Sequence, residues 1–132
     1  MSEAYVLDAS ALLCLLQEEP GAERVAIALP AAMIGAVNYS EVVGKLVESG
    51  LDEATVDGLI DTLQLKVVPF DQIQARLAGS LRATTRKLGL SLGDRACLAL
   101  AAVEGATALT CERSWAKFAA PCAAPCKVEM LR

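Results

Sequence analysis

The chain has 132 residues, of which 55% are hydrophobic, and 12 Lys and Arg against 16 Asp and Glu give a formal net charge of −4. This length suits one domain, residues 1–132, with a substantial core, and no apolar run approaches the roughly 20 residues that a membrane helix needs. The sequence contains no histidine, which excludes Ser-His-Asp and Cys-His catalysis and leaves carboxylates as the acid–base groups.

Short apolar segments alternate with helical patterns along the chain. The predicted strands are 4–8, 31–36, 65–70, 106–110 and 126–131. The predicted helices are 9–19, 22–29, 38–49, 52–63, 71–88, the segment after Ser91, and 113–119. This alternation predicts an α/β fold in which a short parallel sheet of about four to five strands carries helices on both faces.

Two of the predicted helices have a defined inward face. The helix over 38–49 is expected to turn Val42, Val43, Leu46 and Val47 inward. The helix over 71–88 is expected to bury a stripe at every third or fourth position. That stripe consists of Ile73, Leu77, Leu81, Thr84 and Leu88.

Four acidic residues stand where strands are predicted to end or helices to begin: Asp8, Glu41, Asp94 and Glu112. Parallel sheets collect their active residues just past the carboxyl ends of the strands, so we expect these four at one edge. Carboxylates that lie close together repel one another and need a cation at neutral pH. Ligand sets made only of oxygen indicate Mg²⁺ or Mn²⁺.

Each of these acids also has a structural interpretation. The stretches "NYSE" and "SLGD" have the spacing of a capping box, in which Asn38 or Ser91 caps a helix and the acid bonds back. Asp8 is placed to cap the helix that follows it, and Glu112 to favour the positive end of a helix. Taken one at a time the acids fit either interpretation, whereas their joint placement favours a site.

Four stretches carry a resemblance to a known family: "VLDASALLCLLQEEPGAERV", "IGAVNYSEVVGKL", "LGLSLGDRACLALA" and "LTCERSW". Over residues 6–115, and in the same order, they resemble PIN-domain ribonucleases, specifically the VapC toxins of bacterial toxin–antitoxin pairs. The resemblance implies a PIN-like fold, with Asp8, Glu41 and Asp94 in the family's acidic positions. The family's fourth acid is usually Asp in "TADRxW", and here it is Glu112 in "TCERSW".

The same resemblance implies a chemistry and a set of partners. Asp8 and Asp94 would hold Mg²⁺, for which Mn²⁺ can substitute, and the hydroxyls of Ser10 and Thr110 would support them. Glu41 would orient the attacking water or help to hold the metal. Glu112 would complete a second metal position or handle the leaving oxygen. The expected partners are an RNA substrate, a cognate VapB-like antitoxin and a second copy of the chain in a homodimer, with no membrane.

Basic residues are concentrated late in the chain. Residues 1–75 hold twelve acids and three bases, whereas residues 76–117 hold seven bases and three acids. The pattern fits ordinary solvated faces, or a basic rim that meets a polyanion. Arg82 and Arg86 are candidates for contact with the RNA backbone or with an antitoxin. Arg95 is expected to point at the acids or to bridge to Glu104.

The five cysteines indicate a reducing compartment. Cys14 and Cys97 lie in apolar helical patterns and are expected in the core. Cys122 and Cys126 in "CAAPC" offer two zinc ligands, but without a histidine or a second pair no zinc site is expected. The first residues lack a signal-peptide pattern, so we expect a cytoplasmic protein.

Two other functions fit parts of the pattern. A phospho-acceptor receiver domain needs paired acids after its first strand and a phosphorylated aspartate after a middle strand. This chain has one acid after its first predicted strand, and Asp71 follows Pro69. The second is a catalytically weak or inactive PIN fold that only binds RNA or protein, and Glu112 in place of aspartate leaves this alternative open.

Overall fold

The computed structural model describes residues 3–118 and 125–132. In these residues one five-stranded sheet has the order β3-β2-β1-β4-β5, and all four neighbouring pairs are parallel. The predicted parallel α/β sheet is therefore confirmed. The strands are β1 (Tyr5–Leu7), β2 (Ala32–Gly35), β3 (Lys66–Val68), β4 (Thr107–Thr110) and β5 (Val128–Met130).

Helices connect the strands, and none of those described combines the length and apolar character needed to cross a membrane. Two short 3-10 turns, Leu29–Ala31 and Arg86–Leu88, accompany them. The helices are α1 (Ala9–Leu16), α2 (Ala22–Ala28), α3 (Ala36–Glu48), α4 (Glu53–Thr62), α5 (Gln72–Ser80), α6 (Arg82–Thr85), α7 (Leu92–Glu104) and α8 (Trp115–Phe118).

The sheet is covered on both faces, as the side chains of its central strand show. Successive residues of a strand point to opposite faces. Leu7 packs in one core with residues of α1 to α4. Its neighbour Val6 packs in the other core with residues of α7 and with Trp115. Because β1 is buried on both sides, the residue that follows it, Asp8, enters a nearly closed environment.

The start of α3 differs from the prediction. The helix begins at Ala36, and its cap is Gly35, which has no side chain to bond the helix end. The sequence stretch "NYSE" is therefore not a capping box, and Asn38 is the third residue of the helix, fully buried. Val47 is 43% exposed instead of facing inward. Because the helix ends at Glu48, Val47 lies in its last turn.

The single helix predicted over 71–88 is wrong. The chain forms α5, then α6, then a 3-10 turn, and Ile73, predicted inside, is 68% exposed. Of the other predicted positions, Leu81 is buried and Thr84 is exposed. Polar groups share the inward face: the buried Gln74 amide donates to the carbonyl of Pro69 at 2.9 Å. The Thr85 hydroxyl, also buried, donates to the carbonyl of Leu81 at 2.7 Å. A scan for apolar periodicity misses a helix face that is held by such bonds.

Arg95 neither points at the acids nor reaches Glu104, contrary to the prediction. It is buried, and its Nη1 donates to the carbonyl of Ala78 at 2.9 Å. Since Ala78 lies on α5, this bond ties α7 to α5. The guanidinium is therefore used inside the fold and is not available to a substrate.

The cysteines behave mostly as expected. Cys14 and Cys97 are fully buried, which confirms them as core residues. Cys126 is partly buried and carries a free thiol. Cys122, the other half of "CAAPC", lies outside the described residues.

The face of α5 gives a test of the fold. Gln74→Ala removes a buried hydrogen bond and leaves the Pro69 carbonyl without this donor, so we expect the free energy of unfolding to fall by about 1–3 kcal/mol. The matched variant Ile73→Ala changes an exposed position and is expected to stay within about 0.5 kcal/mol of wild type. Urea unfolding of both variants measures this, and a larger loss for Ile73→Ala would support the face that the sequence predicted.

Candidate active site

The structure brings the four predicted acids together around one cleft of about 480 Å³, which Asp8, Glu41, Asp94 and Glu112 all border. Asp8 directly follows β1, and Glu112 follows the neighbouring strand β4. In the sheet, β2 and β3 lie on one side of β1, and β4 and β5 lie on the other side. The cleft therefore lies at a switch point of the sheet, where α/β proteins commonly bind their ligands.

Asp8 is the buried member of the cluster, with 3% of its surface exposed. Its Oδ2 accepts hydrogen bonds from the hydroxyls of Ser10 at 2.7 Å and Thr110 at 2.9 Å. Burial raises the pKa of Asp8 to about 6, the two hydroxyls oppose this shift, and the charges of Asp94 and Glu41 add to it. Asp8 occupies the N-cap position of α1, as predicted, but its side chain makes no capping bond to the helix.

The two hydroxyls also fix the segment after β4. The backbone N–H of Cys111 donates to Ser10 Oγ at 2.9 Å, and that of Glu112 donates to Thr110 Oγ1 at 2.9 Å. Each hydroxyl therefore accepts a backbone bond while it donates to Asp8. This places Ser10 and Thr110 where supporting residues are expected, and it fixes the backbone of Glu112 relative to Asp8.

Glu41 lies on α3 and is exposed toward the cleft. Burial of its carboxylate and the charges of Asp94 and Glu112 raise its pKa, and the nearby Lys45 opposes this shift. Its Oε1 accepts a hydrogen bond from the side-chain amide of Asn38 at 3.3 Å. The same amide donates to Asp8 Oδ1 at 3.3 Å. The sequence analysis missed this role of Asn38 because it assigned Asn38 to a helix cap.

Asp94 both caps a helix and borders the cleft. The backbone N–H of Ser91 donates to Asp94 Oδ2 at 2.8 Å, and the N–H of Asp94 donates to Ser91 Oγ at 3.2 Å. The capping box predicted at "SLGD" is thus confirmed. Because the capping bond uses Oδ2, the site and the cap do not compete for the same oxygen.

Two cations also border the cleft and were missed: Lys45 and Arg132. Lys45 follows Glu41 by four residues, a spacing that places both on one helix face and was visible in the sequence. Arg132 is held by an ion pair with Glu19 at 3.4 Å. The predicted RNA-contacting residues Arg82 and Arg86 are exposed on and just after α6, and they do not border this cleft.

The cleft offers oxygen donors to a metal ion. Within residues 3–118 and 125–132, no group of three or more acidic or thiol side chains lies close enough together to enclose an ion. These carboxylate oxygens are the ligands that a hard divalent cation prefers. The pKa of Asp8 is raised, so the surrounding donors do not fully stabilise its negative charge.

Comparison with known families decides the membership of the chain. The sequence model described as "PIN domain" matches residues 5–121. The chain belongs to the PIN-domain family. PIN domains are generally nucleases, and they usually use divalent metals. No curated protein matches the chain.

Solved structures share this PIN fold over nearly the whole chain. A toxin–antitoxin complex from Klebsiella pneumoniae contains a chain 19% identical, with a TM-score of 0.72 and 98% of each chain covered. DNA-bound VapBC from Salmonella typhimurium contains one 16% identical, with a TM-score of 0.75 and coverage of 99% of this chain and 100% of that chain. FitAcB from Neisseria gonorrhoeae contains one 20% identical, with a TM-score of 0.65 and coverage of 96% and 97%.

The raised pKa of Asp8 predicts how stability depends on pH in the metal-free protein. The pKa is about 6 in the folded protein against 3.8 ordinarily, so the folded state binds the proton more tightly than the unfolded state. This contribution to stability is complete below about pH 4 and is lost as the pH rises through 6. Its size is about 3 kcal/mol.

Asp8→Asn removes this titration. We therefore expect the free energy of unfolding of wild type, relative to Asp8→Asn, to fall by about 3 kcal/mol between pH 4 and pH 7. Urea unfolding of both proteins in a chelator measures the difference. Parallel pH curves for the two proteins would show that the Asp8 carboxylate is not destabilised by the fold.

Proposed function

We propose that this chain is a VapC-type toxin, a metal-dependent ribonuclease that hydrolyses RNA phosphodiester bonds and is blocked by a cognate antitoxin. The observation that carries the proposal is the placement of Asp8, Glu41, Asp94 and Glu112 around one cleft of a PIN fold. Four carboxylates around a cleft favour a cation, and a cation bound there attracts phosphate.

Asp8 and Asp94 are the residues that would hold Mg²⁺ or Mn²⁺. When bound, such an ion supplies positive charge to a phosphate oxygen and makes a coordinated water more acidic. The chain fixes Asp8 through Ser10 and Thr110 and fixes Asp94 through Ser91. Both carboxylates therefore keep their orientation without the ion.

Glu41 is the candidate general base, and it accepts a proton from the attacking water at a carboxylate oxygen. Its raised pKa makes it a stronger base at neutral pH than an ordinary glutamate. Lys45 lies in the same cleft and provides positive charge for a phosphate of the RNA. Glu112 borders the same cleft and would act on the leaving oxygen or hold a second ion. Arg82 and Arg86 would bind the RNA strand outside the cleft.

The antitoxin is supported by the structural neighbours, which include a toxin–antitoxin complex and a VapBC complex. The chain itself exposes large apolar side chains that a partner or a second copy would bury. We propose that the antitoxin covers part of this surface and sets a basic side chain among the four acids, and that the toxin forms a homodimer. The exposed side chains include Ile27, Ile73, Leu92 and Val103.

Induced expression and cleavage assays test the proposal together. Wild-type protein produced without a partner is expected to stop growth and to cleave structured RNA with Mg²⁺ but not with EDTA. Asp94→Asn is expected to reduce cleavage at least ~100-fold and to abolish the Mg²⁺-induced rise in Tm, because it removes a metal ligand. Asp8→Asn serves as the inactive control for growth.

The assay separates the proposed function from the binding-only alternative. A wild-type protein that binds RNA and leaves it intact would be the inactive PIN module. Full cleavage in excess EDTA would instead exclude the metal-dependent mechanism. Sequencing the 5′ ends of the fragments identifies the RNA that is cut.

Glu112 has its own test, because it stands where the family usually has aspartate. If the site needs only a negative charge within reach, Glu112→Asp keeps most of the cleavage rate and Glu112→Gln loses at least ~10-fold. Steady-state cleavage of one RNA by both variants measures this. Equal and undiminished rates for the two would remove Glu112 from the site.

A further inference from the structure

Helices α3 and α7 approach each other closely at Gly93, in the first turn of α7. A Cβ atom built on Gly93 would lie 2.0 Å from Oε1 of Glu41 and 2.8 Å from its Cδ. Real Cβ atoms do not come this close to another heavy atom, so the carboxylate of Glu41 occupies the space that a side chain at 93 would fill. The absence of a side chain at 93 is thus what admits Glu41 to this place.

Asn38 closes the other side of the same space. Its Nδ2 donates to the carbonyl of Gly93 at 3.0 Å and to Glu41 Oε1 at 3.3 Å. The side chain is fully buried, and its Oδ1 has no hydrogen-bond partner in the described structure. A buried amide with an unpaired oxygen costs stability, and Asn38 uses its donor group to bind a site carboxylate and the α7 backbone.

Glu41 needs such a restraint because its neighbours repel it. Asp94 and Glu112 carry the same charge and border the same cleft, and the side chain of Glu41 is exposed and long enough to turn into solvent. A carboxylate beside like charges moves away from them unless it is held. The bond from Asn38 and the close packing on Gly93 are the contacts that oppose this movement.

We propose that Gly93 and Asn38 form a cradle that fixes the carboxylate of Glu41 in the cleft, and that both act as positioning residues. The inference rests on the proposed function for its kinetic consequence. The structural claim does not depend on that function: Glu41 stays beside Asp8 and Asp94 only while position 93 has no side chain.

The cradle predicts that fold stability and activity respond differently to one methyl group. In Gly93→Ala the new Cβ displaces the flexible end of Glu41, which turns into solvent at little cost to the fold. Alanine also favours a helix over glycine, so the Tm is expected to stay level or rise. The turnover number is expected to fall at least ~10-fold, with KM for RNA within about twofold, because the general base is misplaced.

Gly44→Ala is the matched control. Gly44 lies on α3, the helix that carries Glu41, and a Cβ there would meet nothing within 4 Å. The chemical change is identical, and we expect wild-type cleavage and a level or higher Tm. If wild type cuts RNA, equal activity of Gly93→Ala and Gly44→Ala would overturn the cradle.

A double-mutant cycle ties the effect to Glu41. In a Glu41→Ala background the obstructed carboxylate is absent, so Gly93→Ala is expected to change the remaining rate by less than about twofold. A further loss as large as in the wild-type background would show that Gly93 acts on something other than Glu41. Asn38→Ala is expected to lower turnover in wild type, with part of the loss persisting in Glu41→Ala because its amide also bonds Asp8.

The dependence of Tm on Mn²⁺ concentration tests the cradle separately from the proposed function. A third carboxylate held near Asp8 and Asp94 adds to the attraction for a cation, so Gly93→Ala should need at least ~3-fold more Mn²⁺ than Gly44→Ala for half of the Mn²⁺-induced rise in Tm. If wild type cuts no RNA but this difference appears, the cradle stands and the ribonuclease proposal fails. If Gly93→Ala and Gly44→Ala respond equally to Mn²⁺, or Gly93→Ala unfolds, the cradle is overturned. A wild type that neither cuts RNA nor gains stability from Mn²⁺ overturns both.

Discussion

The arrangement of the site depends on the buried carboxylate of Asp8. An ionised carboxylate in an enclosed part of the fold is stable only when donors surround it. This chain supplies those donors from three separate segments: Ser10 at the start of α1, Thr110 at the end of β4, and Asn38 on α3. The three bonds do not fully compensate the charge, since the pKa of Asp8 stays raised to about 6. The negative charge of Asp8 that these bonds leave uncompensated attracts a cation.

The hydrogen-bond partners of Asp8 also fix the positions of other acids relative to it. The hydroxyls that donate to it accept the backbone N–H groups of Cys111 and Glu112, so the chain after β4 is aligned on the end of β1. The Asn38 amide links Asp8 to Glu41 and to the carbonyl of Gly93. Asp94, the next residue, is then oriented by its own capping box. Carboxylates from distant parts of the sequence thereby share one hydrogen-bonded frame.

Sequence alone predicted the parallel sheet, the capping box at Ser91 and the placement of the four acids, because apolar runs and strand ends are local signals. It failed at Asn38 because a cap was inferred from spacing, whereas α3 starts at Ala36 with Gly35 as its cap. It failed over residues 71–88 because the buried Gln74 and Thr85 bond to carbonyls, and a polar residue on an inward face breaks the apolar period. The role of Gly93 depends on a contact with Glu41, 52 positions earlier in the chain, and no local pattern records such a contact.

The charge of the cleft sets a condition on any anionic substrate. Five carboxylates border it against two cations, Lys45 and Arg132. One of the five, that of Glu19, is already paired with Arg132. Without an added cation the cleft therefore repels RNA phosphate. Under the proposed function, a metal ion or a basic side chain of an antitoxin would relieve the same repulsion among the carboxylates of the cleft. Because both would occupy the space between the same carboxylates, one cleft can serve catalysis with the ion and inhibition with the partner.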